Sequence, residues 1–288
     1  MIEAAVLIPA MLIGLGAYLA AYRWPDPIGA PRVDTATVRD EVQRHPALAA
    51  LLRTRTDPAE LTGLALTVAA AACLLAAGGI GLLLAMIRTG SGFARWDAAF
   101  ARFGATHATA GSTTFLRDIS LLGGTVGVIV IGVLIGLVEV RRTRTFALLG
   151  FLVLACGGQF AIANLLKVIV NRDRPDILPL TGFSGSSFPS GHATAAAAVF
   201  MTAAFLIGRR RSRRVRAALV GGAVAIACCV AASRVLLGVH WFTDVIAGLL
   251  LGWAWFAICS MVFGGRILRY GAPIQQAQAS APPAPVPH

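Results

Sequence analysis

The stretch FSGSSFPSGHATAAAAV, Phe183 to Val199, changes character at its midpoint. Glycine, serine and proline fill the first half and bend the backbone tightly. The second half is nearly pure alanine and valine, so a helix begins at once and an apolar one. A helix start carries unpaired N–H groups and about half a positive charge from its dipole. That combination holds anions. Ser190 followed by Gly191 suits the N-cap of such a helix, but capping chemistry gives no reason for His192.

Outward from this stretch, the chain is apolar almost throughout. Of its 288 residues, 57% are hydrophobic and 13% charged, where a soluble domain carries roughly 25% charged residues. The mean hydropathy is +0.75. Seven apolar runs, near 4–22, 61–87, 119–139, 145–167, 193–208, 215–233 and 241–264, approach or exceed the roughly 20 residues that cross a bilayer. The prediction is an all-α, polytopic transmembrane helix bundle. The first run has Glu3 ahead of it and Arg23 behind it, the reverse of a signal peptide's charge order, and reads as a retained span. A histidine at the edge of such a bundle needs a polar partner or a job.

The net charge of +12 does not imply nucleic acid. Basic residues gather in short loops, Arg141 to Arg144 and Arg209 to Arg216, without the aromatic-rich basic surface of a nucleic-acid reader. Seventeen of the 25 basic residues fall on one side of the predicted membrane and eight on the other. The positive-inside rule makes the richer side cytoplasmic. The N-terminus is then outside, the C-terminus inside, and the Pro189–His192 turn extracytoplasmic. All five cysteines lie within apolar runs, without metal-ligand spacing, and read as small membrane-core residues. Between the second and third runs, Phe93, Trp96, Phe100 and Phe103 recur at steps of three, four and three, predicting a helix over 92–107 that lies in the membrane interface. Its role is open, a lid for incoming lipid being one reading. The tail 265–288 is low-complexity and predicted disordered.

Three polar clusters fall at the predicted outer ends of spans. Lys167, the only lysine among 25 basic residues, leads into KVIVNRDRP with Arg174 before Pro175. The second cluster is the opening stretch, with Ser190, Gly191 and His192. In the third, Ser233 and Arg234 end the sixth span, while His240 and Asp244 open the seventh. Their i, i+4 spacing puts His240 and Asp244 on one helix face. A carboxylate there fixes the imidazole tautomer and leaves the other ring nitrogen free to attack. Taken singly, each cluster has a plain structural reading: a snorkelling lysine, a cap, a polar clamp between helices. Together they assemble three cations, a helix N-terminus, two histidines and a carboxylate, an inventory for a tetrahedral anion under attack.

The patterns K-x6-R-P (Lys167 to Pro175), P-S-G-H (Pro189 to His192) and S-R-x5-H-x3-D (Ser233 to Asp244) resemble the type 2 phosphatidic acid phosphatase (PAP2) superfamily. Eleven specified positions match in order and spacing. The resemblance covers about residues 61–264 and implies a six-helix core, to which this chain adds one N-terminal span. It also implies roles: His240 the nucleophile that becomes a phosphohistidine, Asp244 its orienting partner, His192 the proton donor and later the base. Lys167, Arg174, Ser190, Gly191, Ser233 and Arg234 would hold the phosphoryl oxygens. Neither metal nor other cofactor is implied, because arginine and lysine supply the neutralisation. Asp97, Asp118, Asp173 and Asp176 are read as outward-facing acids too dispersed for a two-metal site.

The expected function is hydrolysis of a lipid phosphate monoester or diphosphate at the outer face of a bacterial-type inner membrane, with undecaprenyl diphosphate among the substrates that fit. A phosphotransferase of the same superfamily is the nearer alternative. A phospholipid transporter, which would carry its charges near mid-bilayer on broken helices, is the more distant one. The expected organisation is a span and basic loop (1–60), a catalytic membrane domain (61–264) and a tail (265–288).

Overall fold

A computed structural model of the chain describes residues 1–23, 61–143, 146–209 and 211–269. Among these, every regular element is a helix. In chain order they are α1 (Ile2–Arg23), α2 (Leu61–Thr89), α3 (Asp97–His107), α4 (Ala110–Leu121), α5 (Thr125–Thr143), α6 (Phe146–Val170), α7 (Gly191–Gly208), α8 (Arg213–Leu236) and α9 (Phe242–Arg269). A 3-10 turn, Gly92–Trp96, precedes α3. The basic loop expected over 23–60 lies outside the described residues beyond Arg23, as do Arg144 and Arg210. Of the expected tail, residues 265–269 continue α9, and the remainder also lies outside them.

Six described helices are long and apolar enough to cross a membrane, and α4 with α5 makes a seventh, bent by 47°. The protein is a multi-pass membrane protein. The expected third span, 119–139, is thus divided between two helices that meet at a corner. Its corner falls at Gly123 and Gly124, where two glycines weaken the helix by about 1 kcal/mol each relative to alanine. Packing then fixes the bend. A Cβ on Gly123 would lie 2.6 Å from the His192 carbonyl oxygen, so only glycine lets the corner seat against the start of α7.

The alanine-rich α7 is the central post, with 67% of its apolar window buried against 17% for α1 and 11% for α2. Its small side chains admit α9 at backbone distance: a Cβ on Gly252 would come within 2.4 Å of the Thr194 carbonyl oxygen. Close approach of this kind replaces the hydrophobic drive that lipid removes between membrane helices. The additional span α1 lies along α8, with Ile2 and Val6 joining Leu116, Leu236, Leu237 and Val239 in one buried cluster.

The aromatic segment differs from its expectation in phase. The 3-10 turn advances three residues per turn instead of 3.6, so the four rings do not share one stripe. Phe93, Trp96 and Phe100 gather around Phe242 of α9, with centroids 6.4, 6.2 and 4.8 Å away. Phe103 turns away, stacks on His107 at 4.4 Å and packs against the Leu116 cluster.

Candidate active site

One end of the bundle gathers the end of α6, the loop 171–190, the starts of α7 and α9, the end of α8 and the α4–α5 corner. Alternating chain direction through α6, α7, α8 and α9 brings the three sequence clusters to the same level. Asn171 leaves α6 in the left-handed region (φ 43°), a conformation that asparagine tolerates at a helix end. Arg174 then pins the loop. Its guanidinium donates to the carbonyls of Gly185 (2.8 Å), Ser184 (2.8 Å) and Val239 (2.7 Å). Lys167 reaches the same loop, donating from Nζ to the Ser186 carbonyl at 2.7 Å.

His240 sits in the link between α8 and α9 and is buried. Its Nε2 lies 3.3 Å from Arg174 Nη1, and its Nδ1 lies 3.5 Å from Asp244 Oδ2. The guanidinium can only donate, so Nε2 presents a lone pair and the ring proton belongs on Nδ1, facing the carboxylate. Burial pushes the His240 imidazole down to about 4, with Asp244 pulling the other way. Burial likewise lowers the Arg174 guanidinium from its ordinary value. His192 stands on the first turn of α7 against the glycine corner; a Cβ on Gly124 would be 3.5 Å from its Nε2.

Three polar atoms at this end are buried with no hydrogen-bond partner: Ser190 Oγ, Arg234 Nε and His240 Nδ1, the last with the Asp244 carboxylate 3.5 Å away. Ser190 occupies the N-cap position of α7, yet its hydroxyl makes no cap bond. Arg234 is held from its other side, where Nη1 donates to Ser120 Oγ of α4 at 2.7 Å. Buried donors without acceptors mark a place where a ligand's oxygens are accommodated. Lys167, Arg174, Gly191, His192, Arg234 and His240 line a single cavity of about 1340 Å³. The same cavity runs on between α5 and α6, past Val128, Gly132, Gly136, Leu152 and Phe160 as far as Val140 and Leu149. Among the expected phosphate ligands, Ser190 and Ser233 do not line this cavity, and of the two only Ser233 has its hydroxyl already bonded. Its buried hydroxyl is bonded to the Val230 carbonyl at 2.7 Å and does not line the cavity. One position before Arg234 on α8, it faces back into its own helix.

A model of the PAP2 superfamily matches residues 147–267, the segment that carries all three clusters. Decaprenylphosphoryl-5-phosphoribose phosphatase of Mycobacterium tuberculosis is 36% identical over 148 residues, which is 49% of this chain and 74% of that protein. The chain belongs to the PAP2 superfamily. Other members resemble it over shorter stretches. Lipid A 1-phosphatase of Rhizobium johnstonii is 36% identical over 36% of this chain and 43% of its own length. Phosphatidylglycerophosphatase B of Bacillus subtilis is 37% identical over 36% of this chain and 52% of its own. The chain thus spans about half the length of these two relatives. A crystal structure of a transmembrane PAP2-type phosphatidylglycerolphosphate phosphatase from Bacillus subtilis superimposes with a TM-score of 0.60 at 28% identity, covering 68% of this chain and 96% of that one.

Behind the PAP2 motifs lies a polar network that the sequence reading did not anticipate. Arg172 donates from Nη1 to Asp244 Oδ1 (2.6 Å) and from Nη2 to Asp97 Oδ2 (2.7 Å), bridging two carboxylates. Asp244 Oδ2 also accepts from Trp241 N at 2.9 Å and from the Ser187 hydroxyl. Asp97, expected to face outward, is 4% exposed. In the sequence it lies off the run of Phe93, Trp96, Phe100 and Phe103, and that is the available signal. A charge on the side of an interfacial helix away from lipid faces protein, and a buried charge needs a partner.

Proposed function

We propose that this protein removes phosphate from a membrane lipid phosphate or lipid diphosphate. The observation that carries the reading is the single cavity, cationic and histidine-lined at one end and apolar along α5 and α6 for the rest. From Thr125 to Val140 the α5 wall is about 22 Å long at 1.5 Å per residue, most of a hydrocarbon core of about 30 Å. A phosphate held by Lys167, Arg174 and Arg234 would leave its lipid chain in that corridor. The relatives above share, by name, one chemistry, a phosphate on a membrane lipid.

In this reading His240 Nε2 attacks phosphorus from the side opposite the ester oxygen. A P–N bond forms as the P–O bond breaks, and His192 delivers a proton to the departing lipid oxygen. His192 then takes a proton from water, whose oxygen attacks phosphorus and breaks the P–N bond, releasing inorganic phosphate. Asp244 keeps the His240 proton on Nδ1 and stabilises the imidazolium-like charge that develops. The cations, with Ser190 Oγ and the Gly191 N–H, meet the equatorial oxygens without reorganising. No metal step is needed, since side chains supply the neutralisation. The charge asymmetry supports a bacterial-type cell membrane with this end extracytoplasmic, the N-terminus outside and the C-terminus inside.

The test is a panel of purified lipid phosphates and diphosphates incubated with the protein in EDTA, scored for released phosphate and for phosphorylated alcohols. Phosphate release that persists in EDTA supports the reading. Strict, reversible dependence on a divalent cation, or transfer to alcohols instead of water, refutes it. For orientation, Gly182→Cys places a thiol on the exposed loop with nothing within 4 Å of its Cβ. In a variant without native cysteines it should react with an impermeant reagent on intact cells, and Ser212→Cys only after permeabilisation.

A further inference from the structure

Asp97 stands at the first position of α3, in the aromatic segment that precedes the α4–α5 corner, far in sequence from every PAP2 motif. Its two oxygens are fully engaged on the site. Oδ1 accepts from Thr243 N at 2.9 Å, and Oδ2 accepts from Thr243 Oγ1 at 2.8 Å and from Arg172 Nη2 at 2.7 Å. Thr243 N is one of the unpaired donors at the start of α9, the helix that carries Asp244. Asp97 therefore caps that helix from another element, and its charge meets the positive end of the helix dipole. Arg172 closes the circuit, since Nη1 of the same guanidinium donates to Asp244 Oδ1 at 2.6 Å and to Thr243 Oγ1 at 2.8 Å.

The other face of this segment is turned outward. Phe93, Trp96 and Phe100 are 42%, 51% and 38% exposed and enclose Phe242, the first residue of α9. Behind them α3 is seated on backbone: a Cβ on Gly104 would come 2.3 Å from the Leu236 carbonyl oxygen at the end of α8. One short element thus grips the starts and ends of the two helices that bear His240's neighbours.

We infer that residues 92–107 are a strap that positions the His240–Asp244 pair, with Asp97 as its positioning residue acting through Arg172. The inference rests on the phosphatase reading above. Asp97 touches neither cavity nor substrate. It holds Arg172 between two carboxylates, so the guanidinium keeps one orientation and Asp244 keeps the oxygen that faces His240 Nδ1. Misplacing a catalytic group by about 1 Å costs on the order of 10²-fold in rate.

A double-mutant cycle in the full-length protein tests this. Asp97→Asn alone should lower kcat by on the order of 10²-fold with KM little changed, and Asp97→Glu should recover part of the loss. In an Arg172→Met background, already slow, Asp97→Asn should cost less than about threefold more, because residues acting as one unit are not additive. Equal losses in both backgrounds, or a loss confined to KM, would reduce Asp97 to a helix cap and overturn the proposal. If Asp97→Asn does not fold, Thr243→Val removes the shared hydroxyl instead and is read the same way against Arg172→Met. Failure of the wild-type protein to release phosphate from any lipid counts against the phosphatase reading alone. The cycle is then read in vanadate affinity, where coupled losses sustain the strap and additive losses refute it.

Discussion

Arg174 Nη1 lies 3.3 Å from His240 Nε2, while the Asp244 carboxylate stands 3.5 Å from the opposite nitrogen. The imidazole is thus gripped between a donor and an acceptor, with its lone pair directed into the cationic cavity. In the proposed reaction, substrate binding would exchange this contact of Arg174 for one to a phosphoryl oxygen.

This arrangement fixes a pH dependence. Burial lowers the His240 imidazole from 6.5 to about 4, so the ring stays neutral well below the usual histidine range. The acid limb of kcat/KM, corrected for substrate ionisation, should fall near pH 4 and not near 6.5. Stability follows the same sign. Between about 4 and 6.5 the unfolded chain binds a proton that the folded chain refuses. The contribution is complete above 6.5 and is lost as pH falls through that window. Thermal melting across the window should be shallower for His240→Gln than for wild type, and an equal slope would contradict the neutral, buried ring.

The two serines of the motifs should separate. Ser190 Oγ is buried without a partner, whereas Ser233 Oγ already bonds to the Val230 carbonyl. In the proposed mechanism Ser190→Ala removes a free donor to the phosphate and should lower kcat by about 10²-fold or more, the usual loss for one such donor. Ser233→Ala should cost about 1 kcal/mol of stability, a typical buried hydrogen bond, with turnover little altered. Steady-state kinetics on the two variants decides this, and equal damage would return Ser233 to the phosphate ligands.

The corridor should behave as a ruler for the lipid chain. Gly136 on α5 and Gly157 on α6 both line it, and a Cβ at Gly157 meets nothing within 4 Å. Leucine at either position adds branched carbon to the space between the helices. KM for long-chain lipid phosphates should rise about tenfold, as roughly two buried methylenes of contact are lost at about 0.8 kcal/mol each. A short-chain, water-soluble phosphate should be turned over as before. Equal loss on both would mean that the chain lies elsewhere.

The bundle itself was readable because each span is an apolar run bounded by charge, and lipid forces every such run to satisfy its own backbone. That the three clusters would meet was readable because they sit at span ends, where connectivity alone sets depth. Hydropathy could not show the α4–α5 corner, since Leu121 to Thr125 falls inside an uncharged stretch and the bend comes from Gly123 seating on His192. Nor could it show the Asp97–Arg172–Asp244 chain. That contact joins positions 75 residues apart, through a segment whose visible pattern was its aromatic face. Ser233 misled for a related reason: neighbours in a motif share a sequence, but on α8 adjacent residues point about 100° apart.

The two histidines should fail differently. In the proposed mechanism His240→Ala removes the attacking nitrogen, so no phosphoenzyme should form and every substrate should be lost alike. His192→Ala leaves that nitrogen and the cradle in place and removes the proton donor. The loss then depends on the leaving group. A lipid alcohol departs as a strongly basic oxyanion and needs protonation; a nitrophenolate or a prenyl phosphate departs more readily and needs it less. Damage should be greatest on lipid monophosphates and milder on diphosphates or aryl phosphates. With an easy leaving group, His192→Ala should also accumulate the phosphoenzyme, because the same imidazole activates water in the second half-reaction. That adduct should be labile in acid and stable in base, as a phosphoramidate is. Rapid-quench trapping with labelled phosphate reads both steps, and an acid-stable adduct, or equal loss on all substrates in both variants, would overturn this division of labour.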